Sequence, residues 1–177
     1  MKTTIISACS LLLLTLFVFS CTNNSKKEIN TLVDTFYKKY QLDRTTIDKT
    51  LLTENLSKLI RDAENKEKAE TELVAHSKFP TDKPLILEGD IFTSLYEGQN
   101  AFKIVETKID RNNATVKIQF TNTFNKLIWE DQILLIKEKG WKIDNVLFTG
   151  HKNYGENTKN LLLHYLHTDI RRHGEIR

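Results

Sequence analysis

The chain has 177 residues, 26 basic and 23 acidic, with 40% hydrophobic and 28% charged residues. That composition fits one folded domain and is too near neutrality for a nucleic-acid partner, which would require a basic stripe. With two cysteines, Cys9 and Cys21, the chain also cannot hold a disulfide framework.

Met1-Lys2 precedes an apolar run, Leu11-Leu12-Leu13-Leu14-Thr15-Leu16-Phe17-Val18-Phe19, that stops at Ser20-Cys21. A positive start, a short apolar stretch and a small residue before the break have the form of a secretory signal. Cys21 directly after the break resembles a bacterial lipoprotein signal, in which the cysteine is diacylated and becomes the new N-terminus. Val18 and Ser20 fit that pattern, while Phe19 is bulkier than usual. Ile6-Ser7-Ala8-Cys9 matches the letters, but the apolar run would then lie behind the cut. As an uncleaved anchor the run falls short of the ~20 residues of a spanning helix. Residues 1–20 are therefore expected to be a signal peptide, 21–27 a polar tether, 28–170 one domain and 171–177 a tail. Removing the first 20 of 177 residues leaves 157, and with Lys2 gone the basic count falls from 26 to 25 against 23 acidic. A domain of that size buries about two-thirds of its unfolded surface.

The first helix is expected from Glu28: Ile29, Leu32, Val33, Phe36, Tyr37 and Tyr40 form one apolar stripe, with Asp34, Lys38 and Lys39 opposite. A second helical stretch carries Ile47, Leu51 and Leu52. Thr53 can cap a further helix with Leu56, Leu59, Ile60 and Ala63 inward. The mixed charges of Glu64–Glu70 read as a solvated face or a frayed end. Pro80, Pro84, Gly89 and Gly98 punctuate an irregular crossover to about residue 100.

Beyond it the period changes to two. Phe102–Ile109 reads as a strand, Asp110-Arg111-Asn112-Asn113 as a tight turn, and Ala114, Val116, Ile118 and Phe120 as the buried face of the next strand. Leu127–Lys137 is a long strand whose Ile133-Leu134-Leu135-Ile136 suggests burial on both faces. Lys139-Gly140 turns into Trp141–Phe148, where the alternation slips at Asp144-Asn145 and predicts a β-bulge. A closing helix, Thr158–Thr168, offers Leu161, Leu162, Tyr165 and Leu166. The fold class is α+β: N-terminal helices on a twisted four-stranded antiparallel sheet, with a C-terminal helix. The expected core includes Phe36, Tyr40, Leu56, Ile118, Phe120, Leu134 and Ile143.

That element order, with Phe36-Tyr37-x-x-Tyr40, Asp90-Ile91-Phe92-Thr93 and Gly140-Trp141-Lys142-Ile143-Asp144-Asn145-Val146, resembles a family of bacterial lipoproteins without assigned activity. Their domains are similar in fold to nuclear transport factor 2 and the cystatin-like superfamily. The resemblance spans most of 28–168 and implies no catalytic residues.

Candidate chemistry is sparse. His164 and His167 share a helix face and could ligate a metal with Asp169 or His173; the alternative is a solvent-facing pair, and no zincin-type glutamate lies between them. His76-Ser77 is poorly placed for a nucleophile–base dyad, because neighbours in sequence point apart. If the Leu134 face of its strand is the concave one, Glu130 would sit near Trp141, Tyr37 and Tyr40, with Asp144 turned inward by the bulge. That is a polar group in an apolar pocket; the competing and favoured reading is that these charges face solvent and that Trp141 and Tyr40 belong to the core. The functional expectation is a non-enzymatic binding module, lipid-tethered in the bacterial envelope towards the periplasmic side, for a small ligand or an envelope protein, without cofactor or metal. The alternative is an isomerase, dehydratase or hydrolase with Glu130, Asp144 or His76 as general base.

Overall fold

The computed structural model describes residues 24–40, 46–151 and 155–168. Cys21, Asp169 and His173 lie outside them. The first helix, α1 (24–39), starts within the stretch read from sequence as tether and buries Ile29, Val33, Phe36 and Tyr37, with Tyr40 just after its end. This is the expected stripe, set by the 3.6-residue period.

Among the described residues the second helical stretch is a 3-10 turn, Lys49–Leu51, capped by the Asp48 carboxylate on the Thr50 N–H, with Thr46 also in 3-10 conformation. A competing hydrogen bond explains the shortening. Leu52 and Thr53 are extended, Leu52 bridges Ile143 in parallel, and the Thr53 N–H donates to the Ile143 carbonyl at 2.9 Å. From Thr53, whose hydroxyl accepts from Leu56 N, α2 (Glu54–Ala75) runs a dozen residues past Ala63. It buries Leu56, Ile60 and Ala63, and leaves Leu59 partly buried against the core.

The run 64–70 is helical and not frayed: Asn65, Lys68 and Ala69 are exposed, as on a solvated face, while Glu64, Lys66 and Glu67 tie α2 to its neighbours. Lys49 pairs with Glu64 at 2.9 Å, and Glu67 accepts the Leu87 N–H at 2.6 Å. Lys66 Nζ donates to the carbonyls of Tyr165, Leu166 and Thr168. A cation there satisfies the last carbonyls of the closing helix, α3 (Thr158–His167), and complements its dipole.

The strands are β1 (Ala101–Asp110), β2 (Asn113–Asn122), β3 (Leu127–Lys137) and β4 (Trp141–Leu147), paired antiparallel in the order β1-β2-β3-β4. The β4 register shifts where Leu134 faces Asn145 and Leu135 faces Ile143, leaving Asp144 as the extra residue. The bulge thus falls where the broken alternation put it. The free edge of β4 is occupied at Leu52 and Asn157. The other edge, β1, carries a bulge at Val105 and exposed Lys103, Glu106 and Lys108, features that discourage strand addition.

Leu134 is a correction. Along β3 the buried residues are Trp129, Asp131, Ile133 and Leu135; Glu130, Gln132, Leu134 and Ile136 lie on the other face and are half-buried. The four-residue apolar run is therefore not buried on both sides. The helices cover one sheet face, and period-2 alternation applies through the run.

Candidate functional site

Aromatic rings fill the space between α1 and the sheet. Phe36 stacks on Tyr40 at 5.7 Å between centroids and meets Phe92 edge-on at 4.8 Å, while Tyr37 packs against Phe102 at 5.7 Å and Phe120 at 5.1 Å. Such offset and edge-on pairs satisfy the ring quadrupoles. The Tyr37 hydroxyl donates to the Phe92 carbonyl at 2.8 Å, and the Tyr40 hydroxyl to Asp90 Oδ1 at 2.9 Å. Burial first, then the Asp90 charge, holds both phenols well above their usual range. They are neutral donors and cannot act as bases.

The crossover, irregular as expected, is not a surface loop throughout. Asp90, Ile91, Phe92, Thr93 and Ser94 are all buried. Asp90 Oδ1 accepts from Phe92 N at 2.6 Å and Thr93 N at 3.1 Å, an Asx turn that folds the loop onto its own side chain. Burial pushes the Asp90 carboxyl up to about 7, against the lowering effect of the donors from Phe92, Tyr40 and Thr93. Its Oδ2 has no hydrogen-bond partner among the described residues.

Asp131 is the second buried carboxylate. Its Oδ2 accepts from Ser94 N at 2.8 Å and Trp129 Nε1 at 3.1 Å, its Oδ1 from Thr149 N at 2.8 Å and Gly150 N at 3.0 Å. Four N–H donors from three segments converge on one side chain, which locks the crossover and the segment after β4 onto β3. Gly150 is required there: a Cβ would fall 2.6 Å from Trp129 Cδ1 and 2.8 Å from Trp129 Cβ. His151 closes the cluster, its backbone N–H on Ser94 Oγ at 3.0 Å and its ring edge-on to Trp129.

The conditional pocket does not form, and the competing reading of its aromatics as core holds. Tyr37, Tyr40 and Trp141 are 3%, 2% and 3% exposed, so they are core and not a ligand platform. Glu130 is on the outer face, paired with Lys117 at 2.6 Å, because its strand presents Asp131 inward instead. Asp144 does lie between elements, but as a clip: it accepts from Thr53 Oγ1 at 2.9 Å and Lys159 Nζ at 2.7 Å, joining the starts of α2 and α3 to the bulge. His76 is an exposed helix C-cap with its ring on the Glu72 carbonyl, and the Ser77 hydroxyl accepts from Phe79 N, so the two form no dyad. His164 and His167 are exposed, and among the described residues no three His, Cys, Asp or Glu side chains are grouped to hold a metal.

The crevice beside Tyr40, lined by Phe36, Ile47 and Leu51, has no room for a water, and a wider one of about 550 Å³ is an open cleft between α1 and Ile104 of β1. Sequence reasoning missed Asp90 and Asp131 as organisers, although both left signals. Asp131 alternates with Trp129 and Ile133, and Asp90 heads an Asx-type sequence before two apolar residues. Comparison with protein-family models, curated proteins and solved structures finds no match to this chain.

Proposed function

We propose that the chain is a bacterial envelope lipoprotein, acylated at Cys21, whose domain is similar in fold to nuclear transport factor 2. We further propose that it acts as a non-enzymatic binding module for another envelope protein. The observation that carries the binding reading is the filled interior: the space where relatives of that fold class would keep a pocket is occupied by Phe36, Tyr37, Tyr40, Phe92 and Phe120. A small ligand has no chamber there, so the surface is what remains for recognition. An enzyme of isomerase or hydrolase type needs a base that a substrate can touch. Asp90, the carboxyl raised furthest towards neutrality, is sealed at 1% exposure.

Two measurements test this. Metabolic labelling with a palmitate analogue should mark the wild type and not Cys21→Ala; equal labelling contradicts acylation. For binding, a photo-crosslinking residue placed at Phe124, which is 86% exposed on the β2–β3 turn, should give one adduct of fixed mass in intact cells. The same residue at Lys68 on α2 should not. A small envelope metabolite that raises the melting temperature, or turnover abolished by Asp90→Asn, would overturn the reading.

A further inference from the structure

Resting on acylation at Cys21, the early start of α1 limits how far the domain stands from a bilayer. α1 is helical from residue 24, so two residues, Thr22 and Asn23, separate the acylated position from it. At ~3.3–3.6 Å per residue, the reach from Cys21 to the helix is about 10 Å at most.

The packing of α1 then decides which surface lies within that reach. Asn30 Oδ1 accepts the Thr107 hydroxyl at 2.6 Å, while Tyr37, two turns further on, packs on Phe102 and Phe120. α1 therefore runs antiparallel to β1. Its first turn lies towards the end of the sheet where the β1–β2 and β3–β4 turns emerge. Those turns are neighbours, joined by the Lys137 N–H on the Asn112 carbonyl at 2.8 Å. This end exposes Lys26, Lys27, Lys108, Arg111, Lys137 and Lys139. The acids interspersed with them, Glu28, Glu106, Asp110 and Glu138, number four against six, and the Lys108–Glu106 pair removes one of each, leaving an excess of two cations.

We infer that this end of the domain is a docking surface for anionic lipid headgroups, held against the membrane by the short link to Cys21. The reach of about 10 Å is close to the ~8 Å Debye length of physiological salt, so the cations stay within the field of the leaflet. Each Lys or Arg near such a surface is favoured about fivefold. The attraction need not hold the protein, which the acyl chains do. It selects an orientation, and in that orientation the β2–β3 turn with Phe124 stands at the far end of β3, about 34 Å away over eleven residues.

The test uses the mature acylated full chain purified from membranes. It is reconstituted in vesicles of phosphatidylethanolamine and phosphatidylglycerol that contain a headgroup-attached quencher. Cys9 leaves with the signal and Cys21 carries lipid, so Lys139→Cys or Phe124→Cys supplies one free thiol for a fluorophore. Quenching should be severalfold stronger at 139 than at 124. The ratio should fall towards one in high salt and when Arg111 and Lys137 are both changed to Gln. Equal quenching at the two positions overturns the docking surface. A ratio unchanged in phosphatidylcholine vesicles overturns the part played by charge. A chain that fails to float with vesicles overturns acylation itself, and the docking surface with it.

Discussion

Asp90 and Asp131 are buried within one cluster, yet they differ in how their oxygens are used. Asp131 spreads four N–H donors over both oxygens, whereas Asp90 receives three donors on Oδ1 and none on Oδ2. The folded Asp90 carboxyl titrates near 7 and the unfolded one near 3.9, so the folded state binds more protons between those values. Its contribution to stability is full below pH ~4, declines as pH rises through 7, and is flat above. The shift of about three units corresponds to at most about 4 kcal/mol. Urea midpoints of wild type and Asp90→Asn should therefore diverge between pH 5 and pH 8, with the wild type losing ground; parallel profiles would contradict the assignment. Asp131→Ala should cost more than Asp144→Ala, because it strands donors in the interior at about 1–3 kcal/mol each. Gly150→Ala should destabilise by about 1–3 kcal/mol through overlap with Trp129. Each aspartate left a local signal, but charged side chains are exposed by default, and a sequence does not display the distant donors that reverse the default.

Among the elements, those governed by periodicity were readable and those governed by a distant partner were not. The stripe of α1, the Thr53 cap, the alternation of β2 and the slip in β4 all rest on neighbours within a few residues, so they could be read from sequence. The stretch 46–52 loses its helix to a hydrogen bond with Ile143, and the charges of 64–70 find partners on the 3-10 turn, the crossover and α3. Which face of β3 is inward depended on the same long-range information. Thr53 shows how much one residue can join: it caps α2, donates to Asp144 and sends its N–H to β4. Thr53→Ala should cost about 1–2 kcal/mol, at the upper end for a cap, and Thr53→Ser should recover most of it. A Thr53→Ala protein with an unshifted denaturation midpoint would show that the three contacts are redundant.

At the scale of the molecule, stability is concentrated where α1, the crossover and the sheet meet. Phe36→Ala removes a ring that touches Tyr37, Tyr40 and Phe92 and should cost about 3–5 kcal/mol. A domain of this size unfolds as one unit, so helical circular dichroism and tryptophan fluorescence should report the same lowered midpoint. Two separate transitions would mean that α1 is an independent appendage. The partners of α1 have a further consequence, for the order in which the chain appears. Its stripe is synthesised first, but Phe92, Phe102 and Phe120, on which it packs, follow some fifty to ninety residues later. Strands β3 and β4 come later still, and the clip at Asp144 joins Thr53 to a residue 91 positions downstream. A chain emerging N-terminus first thus gains its core contacts only when nearly all of it has been made. A fragment ending at residue 100 should therefore show no cooperative unfolding.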